Sequence, residues 1–203
     1  MDLFSSENDI ELINLKLMNA DISYYPNLFS AEESVKLFNL LYKETPWKQD
    51  DIVVFGKKYK QPRLTALYGE KNMPYTYSGI TMYPLTFTET LLQLKNKIEK
   101  ITSIQFNAVL LNLYRDGNDS VGWHSDNEEE LGANPEIASL SFGTERMFHL
   151  RKTEDKILQK KILLQNGSLL LMKGKTQHFW QHQIPKSKKI SQPRINLTFR
   201  VIQ

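Results

Sequence analysis

The chain has no cysteine, which removes disulfides, thiolate metal sites and cysteine nucleophiles together. With only four histidines present, any metal centre has to be assembled from a few imidazoles and from carboxylates. No apolar run is long enough to cross a bilayer, and the opening MDLFSSENDIELINLKLMNA is acidic and mixed where a secretory leader is basic and then apolar. A soluble intracellular protein with no membrane partner is expected, cytoplasmic if the source is bacterial and nuclear if it is eukaryotic. Repeats and low-complexity tracts are absent too, which argues against a solenoid. The net charge of +3 is too small to indicate nucleic acid by itself.

What is present suits one sizeable core: 203 residues, 40% of them hydrophobic. Ser30-Ala31-Glu32-Glu33 has capping-box form ahead of Val35, Leu37, Phe38, Leu40 and Leu41 at helical spacing, and Pro46 closes that helix. A second helix is expected from Glu89 to Lys100. Beyond it the segments FNAVLLNLY, EIASLSFG, RMFHLRK, KKILLQ, GSLLLMKG and INLTFRVIQ read as short strands. DIVVFGKKYKQPRLTALYG, earlier in the chain, reads as a hairpin with Phe55-Gly56 near its tip and Pro62 marking its exit. The pattern is α+β but mainly β: a jelly roll, or double-stranded β-helix, with N-terminal helices packed on one side.

The chemistry concentrates in three places. SVGWHSDNEEE places His124 and Asp126 two residues apart, able to aim at one point from an extended backbone. TQHFWQHQIP supplies two candidates for a third ligand, His178 and His182. Two imidazoles with one carboxylate form the facial triad of non-haem Fe(II) oxygenases. In PRINLTFR, Arg194, Asn196, Thr198 and Arg200 share one face and Ile195, Leu197 and Phe199 the other. That polar face either meets solvent, as on any amphipathic strand, or lines the barrel. In the second case its guanidiniums need an anion, which a dicarboxylate supplies. Asn112 and Tyr114 share a face of FNAVLLNLY just upstream of His124.

These segments, with PRLTALYGE (62–70), PYTYSGITM (74–82), IASLSFGTER (137–146), NGSLLLM (166–172) and WQHQIPK (180–186), carry a resemblance over roughly residues 50–200. The chain resembles the AlkB family of Fe(II)- and 2-oxoglutarate-dependent dioxygenases, in the branch of the animal AlkB homologues 2 and 3. The resemblance implies a metal on His124, Asp126 and His182, because the family's distal histidine precedes x-x-Pro, and it demotes His178. It implies 2-oxoglutarate at Asn112, Tyr114, Arg194 and Arg200, supported by Asn196 and Thr198, with the far carboxylate on Arg200 and O2 as the remaining cosubstrate. It further implies a monomeric oxidative demethylase that repairs 1-methyladenine and 3-methylcytosine in DNA and releases formaldehyde. RNA, a protein or a small molecule is the alternative substrate of the same core, and a noncatalytic nucleic-acid-binding module is a third reading. The base would sit against Tyr75 and Tyr77, face Glu128, and leave a gap filled by Phe55. Asn127 stands where close relatives often carry a second acid. Lys186, Lys188 and Lys189 would meet phosphates. On this reading residues 1–20 form an N-terminal arm, 21–105 the helices and a nucleotide-recognition lid, and 106–203 the jelly-roll core of one globular domain.

Overall fold

Eight strands late in the chain divide between two sheets, and all but one pair of consecutive strands change sheet. The computed structural model describes residues 10–54, 57–70, 75–77 and 80–203, with backbone alone at 53–54, 75–77 and 80–82. The strands are β8 (Ala108–Tyr114), β9 (Val121–His124), β10 (Ile137–Gly143), β11 (Arg146–Lys152), β12 (Leu158–Leu164), β13 (Ser168–Lys173), β14 (Trp180–Ile184) and β15 (Arg194–Arg200). One sheet takes β13-β10-β15-β8 and the other β12-β11-β14-β9, all antiparallel. This is a double-stranded β-helix. The first sheet is extended to seven strands by β1 (Ile13–Asn14) and β2 (Asp21–Tyr25) on one edge and β5 (Leu64–Gly69) on the other, all from segments ahead of residue 106.

The apolar stripe of each helix explains why the seven-stranded sheet is covered on one face. Helix α1 (Ala31–Glu44) starts at the expected capping box, with Ser30 accepting from the Glu33 amide and Glu33 from the Ser30 amide at 2.8 Å. Helix α2 (Glu89–Thr102) starts at Thr88, whose hydroxyl accepts from the Leu91 amide. Leu37 and Leu41 of α1 and Leu91, Leu94 and Ile98 of α2 share a core with Val109, Leu111, Leu140, Ile195, Leu197 and Phe199. Every residue of β15 is buried, so its second face, carrying Arg194, Asn196, Thr198 and Arg200, is an interior surface between the sheets. The amphipathic strand is therefore buried on both sides, and the solvent-facing option for its polar face is excluded.

Within DIVVFGKKYKQPRLTALYG the hairpin pairs β3 (Asp51–Val54) with β4 (Lys57–Lys60) antiparallel, while LTALYG is β5 of the large sheet; Phe55 and Gly56 lie outside the described residues. A second hairpin joins β6 (Tyr75–Tyr77) to β7 (Ile80–Met82); the side chains of Tyr75 and Tyr77 lie outside the described set as well. No helix among the described residues is long and apolar enough to cross a membrane.

Candidate active site

Two of the three candidate metal ligands are brought together by the sheet itself. His124 on β9 is the direct cross-strand partner of His182 on β14, and the rings lie 4.2 Å apart between centroids. The ladder between these strands is irregular: Val121 pairs with Ile184 and His124 with His182, so β9 spends one residue more than β14 over the same stretch. Such a bulge reverses the in/out parity of the strand. Val121 and His124 both line the interior cavity despite their odd separation, while Trp123 lies under the Arg151 guanidinium, 4.2 Å from its carbon to the ring centroid. Ligand atoms of His124, Asp126 and His182 all fall within 4.8 Å of one another.

The hydrogen bonds around the triad leave it ready to accept a cation. His124 donates Nδ1–H to the Gly122 carbonyl at 2.8 Å, which directs Nε2 toward the other ligands. Asp126 is 2% exposed; its Oδ2 lies 3.3 Å from Arg200 Nη2, while Oδ1 is buried without a hydrogen-bond partner among the described residues. Burial pushes the Asp126 carboxyl up, yet Arg200, His182 and His124 together hold it down at about 2. Burial, joined by the His124 charge, lowers His182 to about 3, and burial lowers His124 as well. An ionised carboxylate and neutral imidazoles are the protonation states a metal requires. Phe148 stacks on His182 at 5.1 Å between centroids and fixes the ring plane.

These shifts bear on stability in the metal-free protein. His182 takes no proton until about pH 3, whereas the unfolded chain takes one near pH 6.5. Between those values the unfolded state binds more protons, so stability falls as pH falls. From about pH 7.5 to about pH 5 this residue alone should remove about 2 kcal/mol, with Asp126 adding to the same slope only below about pH 4. Urea unfolding in chelator at the two pH values measures the difference, and His182→Gln should flatten it.

The same cavity receives the polar face of β15. Asn196 pairs in register with Asn112 of β8, donates to Ser139 Oγ at 2.7 Å and accepts from Thr198 Oγ1 at 2.9 Å. Arg194 is opposite Tyr114, with its guanidinium carbon 5.2 Å from that ring, and donates Nη2 to Ser141 Oγ at 2.9 Å. Its Nε and Nη1, although buried, have no hydrogen-bond partner among the described residues. Burial lowers this guanidinium to about 10, which still leaves it a cation near neutral pH. A buried cation with idle donors fits an acidic ligand that the protein does not itself provide.

The two arginines of β15 lie at different ends of the strand. The far carboxylate of the dicarboxylate was assigned to Arg200, but Arg200 pairs with Asp126 and thus marks the metal end. Arg194 lies six residues away on the same strand, about 20 Å along it. Period two puts both arginines on one face but does not say which end of the strand meets the metal; the register of β15 with β8 and β10 decides that.

Other expected residues are more peripheral. Glu128 is half-buried and precedes the short 3-10 turn Glu129–Leu131. Lys186, Lys188 and Lys189 are exposed on the loop after β14. That loop is bound back to back with the turn at Gly117: Gly117 donates to the Ile190 carbonyl and Ser187 donates to the Gly117 carbonyl. A Cβ on Gly117 would sit 1.8 Å from the Ser187 oxygen, so only glycine permits the contact. Buried Arg146 donates to the carbonyls of Asp116, Asp119 and Pro185 and locks both loops. His178 instead bonds the Ala133 carbonyl, on the surface and outside the triad.

Sequence reasoning did not single out Arg63 or Gln177. Arg63 is buried, lines the cavity and donates Nε to Asn112 Oδ1 at 2.8 Å. Its only signal was its place within PRLTALYGE. Gln177 accepts from the Asp126 amide at 3.0 Å.

A double-stranded β-helix with a His-x-Asp…His triad and buried arginines defines a metal- and oxo-acid-dependent oxygenase site. The profile described as the 2OG-Fe(II) oxygenase superfamily matches residues 21–200, and the chain belongs to that superfamily. Within it, the chain is similar to two groups of AlkB homologues. It is 48% identical over 186 residues to alpha-ketoglutarate-dependent dioxygenase alkB homolog 3 of Bos taurus, covering 87% of this chain and 64% of that protein. It is 45% identical over 190 residues to the Homo sapiens protein of that name, covering 89% and 66%. DNA oxidative demethylase ALKBH2 of Homo sapiens is 37% identical over 188 residues, covering 88% and 72%. The chain thus spans just under two thirds of the length of the alkB homolog 3 proteins. The solved structure of OsALKBH1 superposes with a TM-score of 0.66 at 17% identity, covering 94% of this chain and 100% of that one, and shares the fold.

Proposed function

We propose that the protein is an Fe(II)- and 2-oxoglutarate-dependent oxidative demethylase of N-alkylated bases in DNA, with 1-methyladenine and 3-methylcytosine as its lesions. The observation that carries the reading is the convergence of His124, Asp126, His182, Arg194 and Arg200 on one cavity. The name of the alkB homolog 3 relatives supports the dioxygenase class, and that of the ALKBH2 relative supports demethylation on DNA. His124 Nε2, Asp126 Oδ1 and an imidazole nitrogen of His182 would hold the iron. Arg194 with Tyr114 takes the distal carboxylate of 2-oxoglutarate, and Arg200 with Asn112 faces its oxo-acid end. When bound, iron and 2-oxoglutarate use O2 to hydroxylate the N-methyl carbon, giving succinate and carbon dioxide, and the hydroxymethylated base then loses formaldehyde. The protein positions the base and excludes water.

A base stacked in a duplex does not reach this cavity, so the substrate nucleotide is flipped or already single-stranded. Glu128, Tyr75 and Tyr77 are assigned to the base pocket and Phe55 to the gap in the stack. Lys186, Lys188 and Lys189 are assigned to backbone phosphates, supported by their exposure on a loop that Arg146 and Gly117 hold rigid. Replacing all three by alanine should reduce the slope of log affinity against log salt by about two to three; an unchanged slope removes them from the interface. One chain furnishes every metal ligand, and the monomer is taken as the active unit.

The deciding assay follows formaldehyde release from matched single- and double-stranded oligonucleotides bearing 3-methylcytosine, with Fe(II) and 2-oxoglutarate. Repair dependent on both is the expected result, with Phe55→Ala losing activity on duplex alone. Succinate formation that ignores methylated DNA would assign the site to another substrate, and methylated RNA in parallel distinguishes the two nucleic acids.

A further inference from the structure

The three ligands are not held alike. His124 and His182 are fixed by the β9–β14 ladder, but β9 ends at His124 and Asp126 lies two residues beyond it. No strand pairing fixes the third ligand.

Two hydrogen bonds do so instead, and both run to one short stretch of chain. The Ser125 hydroxyl donates to the Trp180 carbonyl at 2.9 Å, and the Asp126 amide donates to Gln177 Oε1 at 3.0 Å. Gln177 is 2% exposed and belongs to α3 (Thr176–Phe179), the single turn that leads directly into β14. The turn is itself anchored. Thr176 Oγ1 donates to the Lys173 carbonyl at 2.6 Å and accepts from the Asp21 amide at 2.9 Å, tying it to β13 and β2. The other end of the Gln177 amide points Nε2 at Met172 Sδ, 3.6 Å away. Residues 177–182 therefore present an amide oxygen to Asp126, a carbonyl to Ser125 and the imidazole of His182.

We propose that Gln177 is the positioning residue for the metal ligand Asp126, its side-chain oxygen fixing the backbone from which the carboxylate projects. A carboxylate has to reach its place against the charge of Arg200, which also draws on it. With the amide pinned, Asp126 Oδ1 stays directed at His124 Nε2, 3.6 Å away, before any ion arrives. A buried glutamine whose only task is to fill space needs no acceptor at this spot. One that preorganises a ligand does. The proposal rests on the metal-dependent reading above.

The test uses the full chain, stripped of metal, titrated with Co(II) as a spectroscopic stand-in for Fe(II). The parent must bind Co(II); failure at that step defeats the metal-dependent reading itself and not the role of Gln177. Gln177→Met keeps the volume and removes the acceptor, and should weaken Co(II) by roughly 10- to 100-fold, the usual loss for an outer partner of a ligand. Gln177→Glu keeps an oxygen at the same place and should restore affinity to within about threefold of the parent, a small fraction of that loss. Parent-like affinity in Gln177→Met overturns the proposal, and so does equal weakening in both variants, which would indicate a packing role. If Gln177→Met does not fold, amide exchange in the metal-free parent decides: protection of the Asp126 amide supports the proposal, and exchange at the rate of an open loop overturns it.

Discussion

Asp126→Ala is expected to lose Co(II) binding and 2-oxoglutarate turnover together, and to unfold more readily even when no metal is present. The first effect follows from removing one of three ligands and should exceed the roughly 10- to 100-fold loss that an outer-shell change brings. The second follows from burial. Arg200 is 4% exposed and faces the Asp126 carboxylate across 3.3 Å. Deleting one member of a buried ion pair leaves the other in a medium that solvates it poorly, at a penalty of about 3 kcal/mol. His124→Ala should also lose the metal, but its side chain is 25% exposed and its removal strands no buried charge. Urea unfolding in chelator separates the two variants: destabilisation is expected in Asp126→Ala and little change in His124→Ala. Equal stability for both would mean that the Asp126–Arg200 contact contributes nothing to the fold.

Arg194→Met should behave in the opposite sense. This guanidinium is 2% exposed, bonded through Nη2 to Ser141 and, among the described residues, without hydrogen-bond partners at Nε and Nη1. Replacing a poorly compensated buried charge by an apolar side chain of similar length is neutral or stabilising in many proteins. The unliganded variant should therefore melt at the parent's temperature or above it. Its response to 2-oxoglutarate should nearly vanish, because a truncated charge-assisted contact to a carboxylate costs about 3 to 4 kcal/mol, or about 100- to 1,000-fold in affinity. Thermal shift against 2-oxoglutarate and the KM for that cosubstrate give the two readouts. An unliganded protein that is strongly destabilised would show that Arg194 holds the fold and not the ligand.

Much of this site was legible because its residues sit on regular strands. The alternation in PRINLTFR named the polar face of β15, and the structure turns all of it into the cavity. The capping box at Ser30 and the apolar stripe of α2 were readable for the same reason: local pattern and global packing agree. The strands that carry the imidazoles were not read as strands. β9 is four residues long with a glycine inside it and a bulge that breaks period two, and β14 alternates through glutamines and a histidine that give no apolar signal. Strands β1 and β2 were hidden for another reason. DISYY is short, and the polar residues around it read as an arm, although Ile22 and Tyr24 pack between the sheets. Gln177 could not be found at all without coordinates, because a buried glutamine looks like any other in a sequence.

Among the described residues β9 has a partner on one side only, β14 being its single neighbour in the four-stranded sheet. Strands in that position open first, and their amides exchange soonest. Half of the imidazole pair thus rides on an edge strand of its sheet, and a bound cation would clasp that margin to the strand inside it. Chelation should then loosen residues 121–124 well before it disturbs the helices, so that protease sensitivity at this rim becomes a gauge of how much of the protein is loaded.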